Sequence, residues 1–322
     1  MNSRVAVLLV VRNGEAWLHA VLGALASQTH RAMDVTVWDN ASTDSTARIV
    51  SSYPRMRLVR SPENIGVWAA VERMVADAYA DHILVLTDVV LAPRYVEVCA
   101  RALDDDARLG AVQGKLLRKS DPTSIDALGF RMERSRRVTI LGHGERDDGR
   151  WDVPTDVFGV EGAAPMFRRA ALEDCRVDGH IVDPDFRVGG IGYGDDFDLA
   201  WRMTAFGWRQ RMIPTAIGWH ERSTTSDTGR GIVGRIRRRT VRERIPALTR
   251  QLDWCNVRLA IVKNDSILDI LRDLPFIAVR EVAVLGYLAL FEPRSLGGVA
   301  RFVRLLPAMI RRRRFVQSHL SS

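Results

Sequence analysis

The first hundred residues alternate between two hydrophobic rhythms. Val5–Val11 is an unbroken apolar run, the pattern of a strand covered on both faces. Leu18, Val21, Leu22 and Leu25 then recur at helical spacing. Val35–Trp38 is a short β-branched strand that stops at Asp39-Asn40, and Ser42-Thr43-Asp44 reads as a helix N-cap region ahead of Ala47–Val50. Arg57–Val59 predicts a third strand and Gly66–Ala78 a helix. His82–Leu86 predicts a fourth, buried strand that stops at Thr87-Asp88. Pro93 suits the first turn of the next helix and Ala111–Leu116 a further strand. Strand and helix in strict alternation predict an α/β fold with a doubly wound, mostly parallel sheet.

The rhythm then breaks. Residues 117–160 mix Gly, Asp and Arg and predict antiparallel or loop structure. Residues 161–220 hold polar clusters, and the Ser/Thr-, Gly- and Arg-rich stretch 221–246 predicts a mobile loop. From Leu248 the chain reads as helices. Ile267, Leu268, Ile270, Leu271, Leu274 and Ile277 form an apolar stripe. Val282–Leu290 is apolar nearly all round, but Arg280, Glu281 and Glu292 bracket it, so it reads as too short to span a bilayer. No repeat or low-complexity tract interrupts the pattern.

Composition adds compartment and partners. A 322-residue chain with 47% hydrophobic residues can bury one large core plus an appendage. Cys99, Cys175 and Cys255 are odd in number and form no CxxC pair, which argues against a disulfide framework or zinc knuckle and for a reducing compartment. The opening apolar run has no small-residue cleavage site after it, so a mature cytoplasmic protein is expected. The net charge of +8 is uneven. Residues 230–244 carry +6 and residues 301–314 another +6, leaving the rest at −4. Basic attachments favour polyanions. Arg301–Ile310 interleaves arginine with apolar residues and runs into Arg311–Arg314, which reads either as an anchor on an anionic membrane surface or as a solvated basic tail. No nucleic-acid-binding motif accompanies the charge, so a nucleic-acid partner is not expected.

Candidate chemistry lies where strands end, because open parallel sheets bind ligands outside the carboxyl ends of their strands. Arg12-Asn13-Gly14 follows the first strand, Asp39-Asn40 the second and Asp88 the fourth. Asp39 can accept from a base imide or a ribose hydroxyl, and Asp88 can hold a divalent cation against a diphosphate. Caps and turns would account for the same residues. The second cluster is Gly192-Tyr193-Gly194-Asp195-Asp196-Phe197-Asp198, followed by Arg202. Neighbouring carboxylates raise each other's pKa, which suits one of them to take a proton from a hydroxyl. An acidic helix N-terminus with Arg202 as an intrahelical partner reads equally well. His220 closes the segment Ile217-Gly218-Trp219-His220, as a structural histidine or a metal ligand.

Taken together these motifs resemble the large inverting family-2 glycosyltransferases of GT-A fold. Val5–Gly14 looks like that family's opening strand and Asn-Gly turn. Asp39-Asn40-Ala41-Ser42-Thr43-Asp44-Ser45-Thr46 is nearly its Asp-Asn-Ala-Ser-Thr-Asp-Gly-Thr signature. Asn64-Ile65-Gly66 resembles its Asn-x-Gly loop, and Asp195-Asp196-Phe197-Asp198-Leu199-Ala200-Trp201-Arg202 its Glu/Asp-Asp-x-Asp-Leu-x-x-Arg motif. Pro214–His220 resembles the closing segment with its histidine. The likeness covers roughly residues 4–222 and is strongest to rhamnosyltransferase-like members that build bacterial surface polysaccharides. One departure stands out: the family's Asp-x-Asp or Asn-Pro-Asp triplet is represented by Leu86-Thr87-Asp88-Val89-Val90, with a single acid.

The resemblance implies a Rossmann-like central sheet flanked by helices, with a GT-A catalytic domain over 1–225. Its nucleotide-sugar half would be about 1–116 and its acceptor half about 117–225. A basic loop at 226–246 and a helical C-terminal extension at 247–322 would follow. It implies that Arg12, Asn13, Asp39 and Asn40 line the nucleotide pocket, that Asn64 and Gly66 lie near the diphosphate or donor sugar, and that Asp88 and His220 bind Mg²⁺ or Mn²⁺. Asp196 would be the general base, with Asp195 and Arg202 orienting the acceptor loop. The implied activity is inverting transfer of a hexose or deoxyhexose from a dTDP- or UDP-sugar to a glycan or lipid-linked glycan, on the inner face of the membrane. The alternative is a catalytically degenerate member that binds nucleotide sugar or glycan within an assembly complex.

Overall fold

The computed structural model describes residues 3–221, 242 and 245–319. From the amino end the chain runs β1 (Val5–Val11), α1 (Leu18–Ala26), β2 (Met33–Asn40), α2 (Thr46–Ser51), β3 (Met56–Ser61), α3 (Val67–Asp77) and β4 (His82–Leu86). β4, β1, β2 and β3 lie side by side in parallel. Every residue of β1 is buried because successive side chains feed opposite cores. Val5, Val7, Leu9 and Val11 pack with α1 and α2, whereas Ala6, Leu8 and Val10 pack with Trp68, Val71 and Val75 of α3. The unbroken apolar run is thus what a central strand between two helical layers requires.

β5 (Val90–Leu91), α4 (Tyr95–Asp105) and β6 (Leu109–Arg118) follow, so Pro93 lies before the helix rather than in its first turn. The irregular stretch holds short strands: β7 (Ile125–Ala127), β8 (Phe130–Met132), β9 (Val138–Ile140), β10 (Thr155–Val157) and β11 (Met166–Arg168). After α5 (Arg169–Asp174) come the hairpin β12 (Arg187–Val188) and β13 (Ile191–Gly192), then α6 (Asp195–Ala205) and the long β14 (Arg209–His220). The main sheet has ten strands in the order β10-β14-β6-β11-β4-β1-β2-β3, with β5 on β14 and β7 on β6. β11 runs antiparallel between β4 and β6, so the sheet is parallel on one side and mixed on the other. β14 pairs parallel with β6, and its register breaks between Ile213 and Ile217, around Pro214. A proline cannot donate to the ladder, and a bulge is where a strand tolerates one. Beyond the bulge, Ile217–His220 lies alongside Lys115–Arg118 and on β5, which carries His220 to the carboxyl end of β4.

The carboxyl-terminal part is helical: α7 (Ala247–Asn264), α8 (Ile267–Phe291) and α9 (Gly297–His319). Trp254, Cys255, Leu259, Leu288 and Met309 share one core with Phe130, Phe186, Phe197 and Trp201, so these helices pack directly on α6. The three cysteines are buried and none is in a disulfide.

Two expectations change here. The stripe from Ile267 and the apolar run Val282–Leu290 are one 25-residue helix, long and apolar enough by length and composition to cross a membrane, whereas either piece alone is too short. Pro275 does not divide it. The basic stretch 301–314 is the middle of α9 rather than a tail: Arg301 donates to the carbonyls of Asp185 and Arg187, and Arg312 binds Asp178, Asp183 and Asp185. The expected loop 226–246 lies outside the described residues except for Arg242, Ile245 and Pro246.

Candidate active site

The ends of β1 and β2 are laced together by their own polar side chains. Asn13, in a left-handed conformation at φ 52°, donates its N–H to Ser42 and accepts from the Thr43 N–H at 2.9 Å. Gly14 donates to Thr46 and Glu15 to Asp44, which also takes the Thr46 N–H and hydroxyl. The Ser42–Thr46 stretch thus builds the loop as well as the start of α2. Asp39 is 1% exposed; its Oδ1 accepts from the Ser42 N–H at 2.8 Å and its Oδ2 faces the exposed Arg60 at 3.5 Å. Arg12 is exposed beside this loop.

A second brace joins β2 to the next loop. Asn40 donates its side-chain N–H to Asn64 at 2.8 Å and accepts from the Ile65 N–H at 2.9 Å. Asn64 also accepts from the Gly66 N–H, just before α3. Hairpin β12–β13 comes down on this loop, and a Cβ on Gly190 would sit 2.3 Å from the Asn64 side chain. Glycine there is what allows the hairpin to approach.

At the end of β4, Asp88 is partly exposed, and its Oδ1 lies 3.3 Å from His220 Nε2. Asp126 of β7, 1% exposed, approaches His220 Nδ1 at 2.8 Å from the other side. Burial alone would lower the His220 pKa, but the two carboxylates outweigh it and raise it to about 9. Burial alone would raise Asp88; His220 and Lys119 outweigh that and hold its carboxyl below the usual range. Lys119 also donates to the Asp88 carbonyl at 2.6 Å. Val89, the residue after Asp88, is fully buried in the core, so Asp88 is the single acid of this turn.

The donor set of Asp88 and His220 fits a divalent cation. Two ligands on one such ion, each bound at about 2.1 Å, stand about 3 Å apart. Asp126 on Nδ1 fixes the ring so that Nε2 faces Asp88, the outer-shell arrangement common to metal-binding histidines. Among the described residues no group of three His, Cys, Asp or Glu gathers as a metal cage. Among the described residues, Asp88 and His220 are the pair spaced as two ligands of one such ion would be.

The three acids of α6 separate sharply. Gly194, at φ 76°, turns the chain into the helix. Asp198 is completely buried, bonded to Lys263 at 2.8 Å, Arg202 at 3.0 Å and Asn264 at 2.8 Å. Burial would raise its pKa, and Lys263 and Arg202 reverse that to lower it. Arg202 is 1% exposed and donates to the carbonyls of Cys175 and Ile181, so it works inside the protein, bracing the 175–183 segment. Asp195 is 5% exposed, and its Oδ1 finds no hydrogen-bond partner among the described residues. Burial, then the charge of Asp196, raises its pKa to about 8, which favours the protonated form.

Asp196 is the one acid of the three that is only partly buried. Its Oδ2 accepts from the Gly162 N–H at 3.0 Å and its Oδ1 from the Phe197 N–H at 2.8 Å. The next residue along, Ala163, accepts the Thr87 N–H at 3.2 Å. One residue of backbone thus separates the anchor of Asp196 from the anchor of the Asp88 turn. Asp126, Lys119, Gly162 and the supports Lys263 and Asn264 were not among the expected site residues. Asp126 and Lys119 sit in the aperiodic stretch 117–160, and Lys263 and Asn264 are brought in from α7. The one local signal is Gly162, a small residue inside Glu161-Gly162-Ala163-Ala164.

The sequence profile of glycosyl transferase family 2 matches residues 6–175. An N-acetylglucosaminyl-diphospho-decaprenol L-rhamnosyltransferase of Mycobacterium tuberculosis is 26% identical over 255 residues, covering 71% of this chain and 79% of that one. A mannosyltransferase from Pyrobaculum calidifontis, solved with GDP-Man and Mn²⁺, superposes with a TM-score of 0.52 at 17% identity, over 99% of this chain and 86% of that one. Staphylococcus aureus TarS 1–349 with UDP superposes at 0.51 and 12% identity, over 97% and 91%. These two structures share the mixed, mostly parallel sheet with flanking helices.

Proposed function

The chain belongs to glycosyl transferase family 2, and from that premise we propose that it transfers a hexose or deoxyhexose from a dTDP- or UDP-sugar to a glycan or lipid-linked glycan, inverting the anomeric centre. The observation that carries this reading is the coupling of Asp196 to the Asp88 turn through Gly162 and Ala163. A base and a leaving-group site must stand on opposite sides of one reacting carbon, and this short rigid link is suited to hold them so.

Asp196 takes the proton of the acceptor hydroxyl as that oxygen bonds to the anomeric carbon. The bond from that carbon to the diphosphate oxygen breaks, and its electron pair leaves with the nucleoside diphosphate. Backbone N–H groups of Gly162 and Phe197 aim the carboxylate. Arg12, Asn13, Asp39 and Asn40 would form the nucleotide side and Asn64–Gly66 the donor-sugar side. Asp88 and His220 would hold Mg²⁺ or Mn²⁺, which when bound supplies positive charge to the departing diphosphate. Asp126 then keeps His220 Nε2 directed at the ion. Asp195 and Arg202 act as positioning residues behind Asp196.

The mycobacterial relative's name pairs rhamnose with a decaprenyl-diphosphate-linked acceptor. We carry this to the present chain as a deoxyhexose donor and a polyprenyl-linked acceptor, used in bacterial surface-polysaccharide synthesis at the cytoplasmic face of the membrane. A thermal-shift panel of nucleoside diphosphates and their sugars, with and without Mn²⁺, tests the donor, because ligands that bind the folded state raise its stability. Nucleotide-sugar binding that leads to neither transfer nor donor hydrolysis would favour a binding member of an assembly complex instead.

A further inference from the structure

The outer side of α8 is apolar and, among the described residues, uncovered. Leu268, Leu271, Val279, Val282 and Leu290 are 80, 61, 72, 73 and 76% exposed. Their spacing repeats every three or four residues, or a multiple of that, so they lie on one face, in a helix about 37 Å long. Only 6% of the most apolar 18-residue stretch is buried. A contiguous apolar surface of this extent marks an interaction site.

The charges around the face identify its partner. The acids of α8 mostly turn inward: Asp273 is 1% exposed on Arg134 and Arg136, and Glu281 binds Arg258 and Arg280. Glu292, at the helix end, pairs with Arg242. Outward stand Arg272 on the helix, Arg134 and Arg137 on the adjoining β8–β9 hairpin, and Arg294 just past the end. Asp269, paired with Arg272, and Glu133 are the outward acids nearby. An apolar stripe with a mainly cationic rim complements an anionic bilayer surface. It suits a second copy poorly, since two such rims would bring arginines together with few acids to pair them.

We infer that α8 lies in the headgroup boundary of an anionic membrane with its outer face down, and does not cross the bilayer. Crossing would detach the helix from the body. It would take Asp273 from the buried Arg136 and Glu281 from the buried Arg258, and put Arg280 and Glu281 into hydrocarbon. The inference rests on α8 and its rim, not on the donor or acceptor, so it stands or falls apart from the proposed reaction.

The test is flotation of the full chain with phosphatidylcholine vesicles, with or without phosphatidylglycerol, at low and high salt. Comparison is with a triple variant, Leu271→Gln, Val282→Gln and Leu290→Gln. The expected result is flotation with the anionic vesicles, weakened by salt, and roughly tenfold weaker binding by the triple variant. Urea unfolding should show one cooperative transition in both proteins, which shows that the variant is folded. Absence of flotation with anionic vesicles would overturn the inference. So would equal binding by a folded triple variant, or light scattering that shows a wild-type dimer turned monomeric by the substitutions.

Discussion

Three acids within four positions meet three environments, and this sorts their roles. Asp198 is ion-paired, Asp195 is buried with its pKa raised, and Asp196 alone is partly open and aimed by two backbone N–H groups. The state of Asp195 has a pH signature. Its pKa is about 8 in the folded chain against an ordinary 3.8, so folding takes up a proton and stability falls as pH rises between those values, then levels off. Asp195→Asn has no such proton to lose. Its stability relative to wild type should therefore improve steadily from about pH 5 to about pH 8, read by urea unfolding. A second prediction concerns Asp126. Asp126→Ala removes the acceptor that orients His220, and Mn²⁺ affinity, followed by electron paramagnetic resonance of the free ion, should fall about 10- to 100-fold. Asp39, Asn64, Asp88, Asp196 and His220 could be picked out in the sequence because each ends a strand or sits in a dense polar motif. Asp126 could not, because a single acid in an aperiodic stretch gives no periodicity and no motif. Its partner is 94 residues away along the chain.

Among the elements, α6 and α7 depend on each other. Lys263 of α7 is fully buried between Asp198 and Asp183, and Asn264 completes the Asp198 shell. Removing one member of a buried ion pair strands the others. Lys263→Ala should cost about 3 kcal/mol or more in urea unfolding, and lower turnover through Asp196 as α6 loosens. The amino-terminal strands and helices could be read closely because both rhythms are strong there, with boundaries shifted by one or two residues. β7 to β11 could not be read one by one, since strands of three residues are too short to show alternation. β14 was seen only as its last apolar segment, because Pro214 and the bulge interrupt the pattern.

For the whole molecule, charge and hydropathy along the chain predict less than their placement in space. The arginines of 301–314 suggest a basic tail, yet Arg301 and Arg312 are spent inside on carbonyls and carboxylates, leaving Arg304, Arg311 and Arg314 outward. The apolar residues of 267–291 read as a stripe and a short apolar run, yet they form one helix and most of them face outward. Neither outcome follows from composition, because each depends on which helix face the catalytic body covers. In the proposed reaction a donor site at the Asp88 end of the sheet works with a base at the start of α6, the two joined through Gly162 and Ala163. The most direct measurement is turnover of Asp196→Asn with the donor that stabilises the wild type. A fall of about 10²- to 10⁴-fold in kcat with nucleotide binding unchanged is expected; turnover equal to that of the wild type would overturn the role of Asp196 as base.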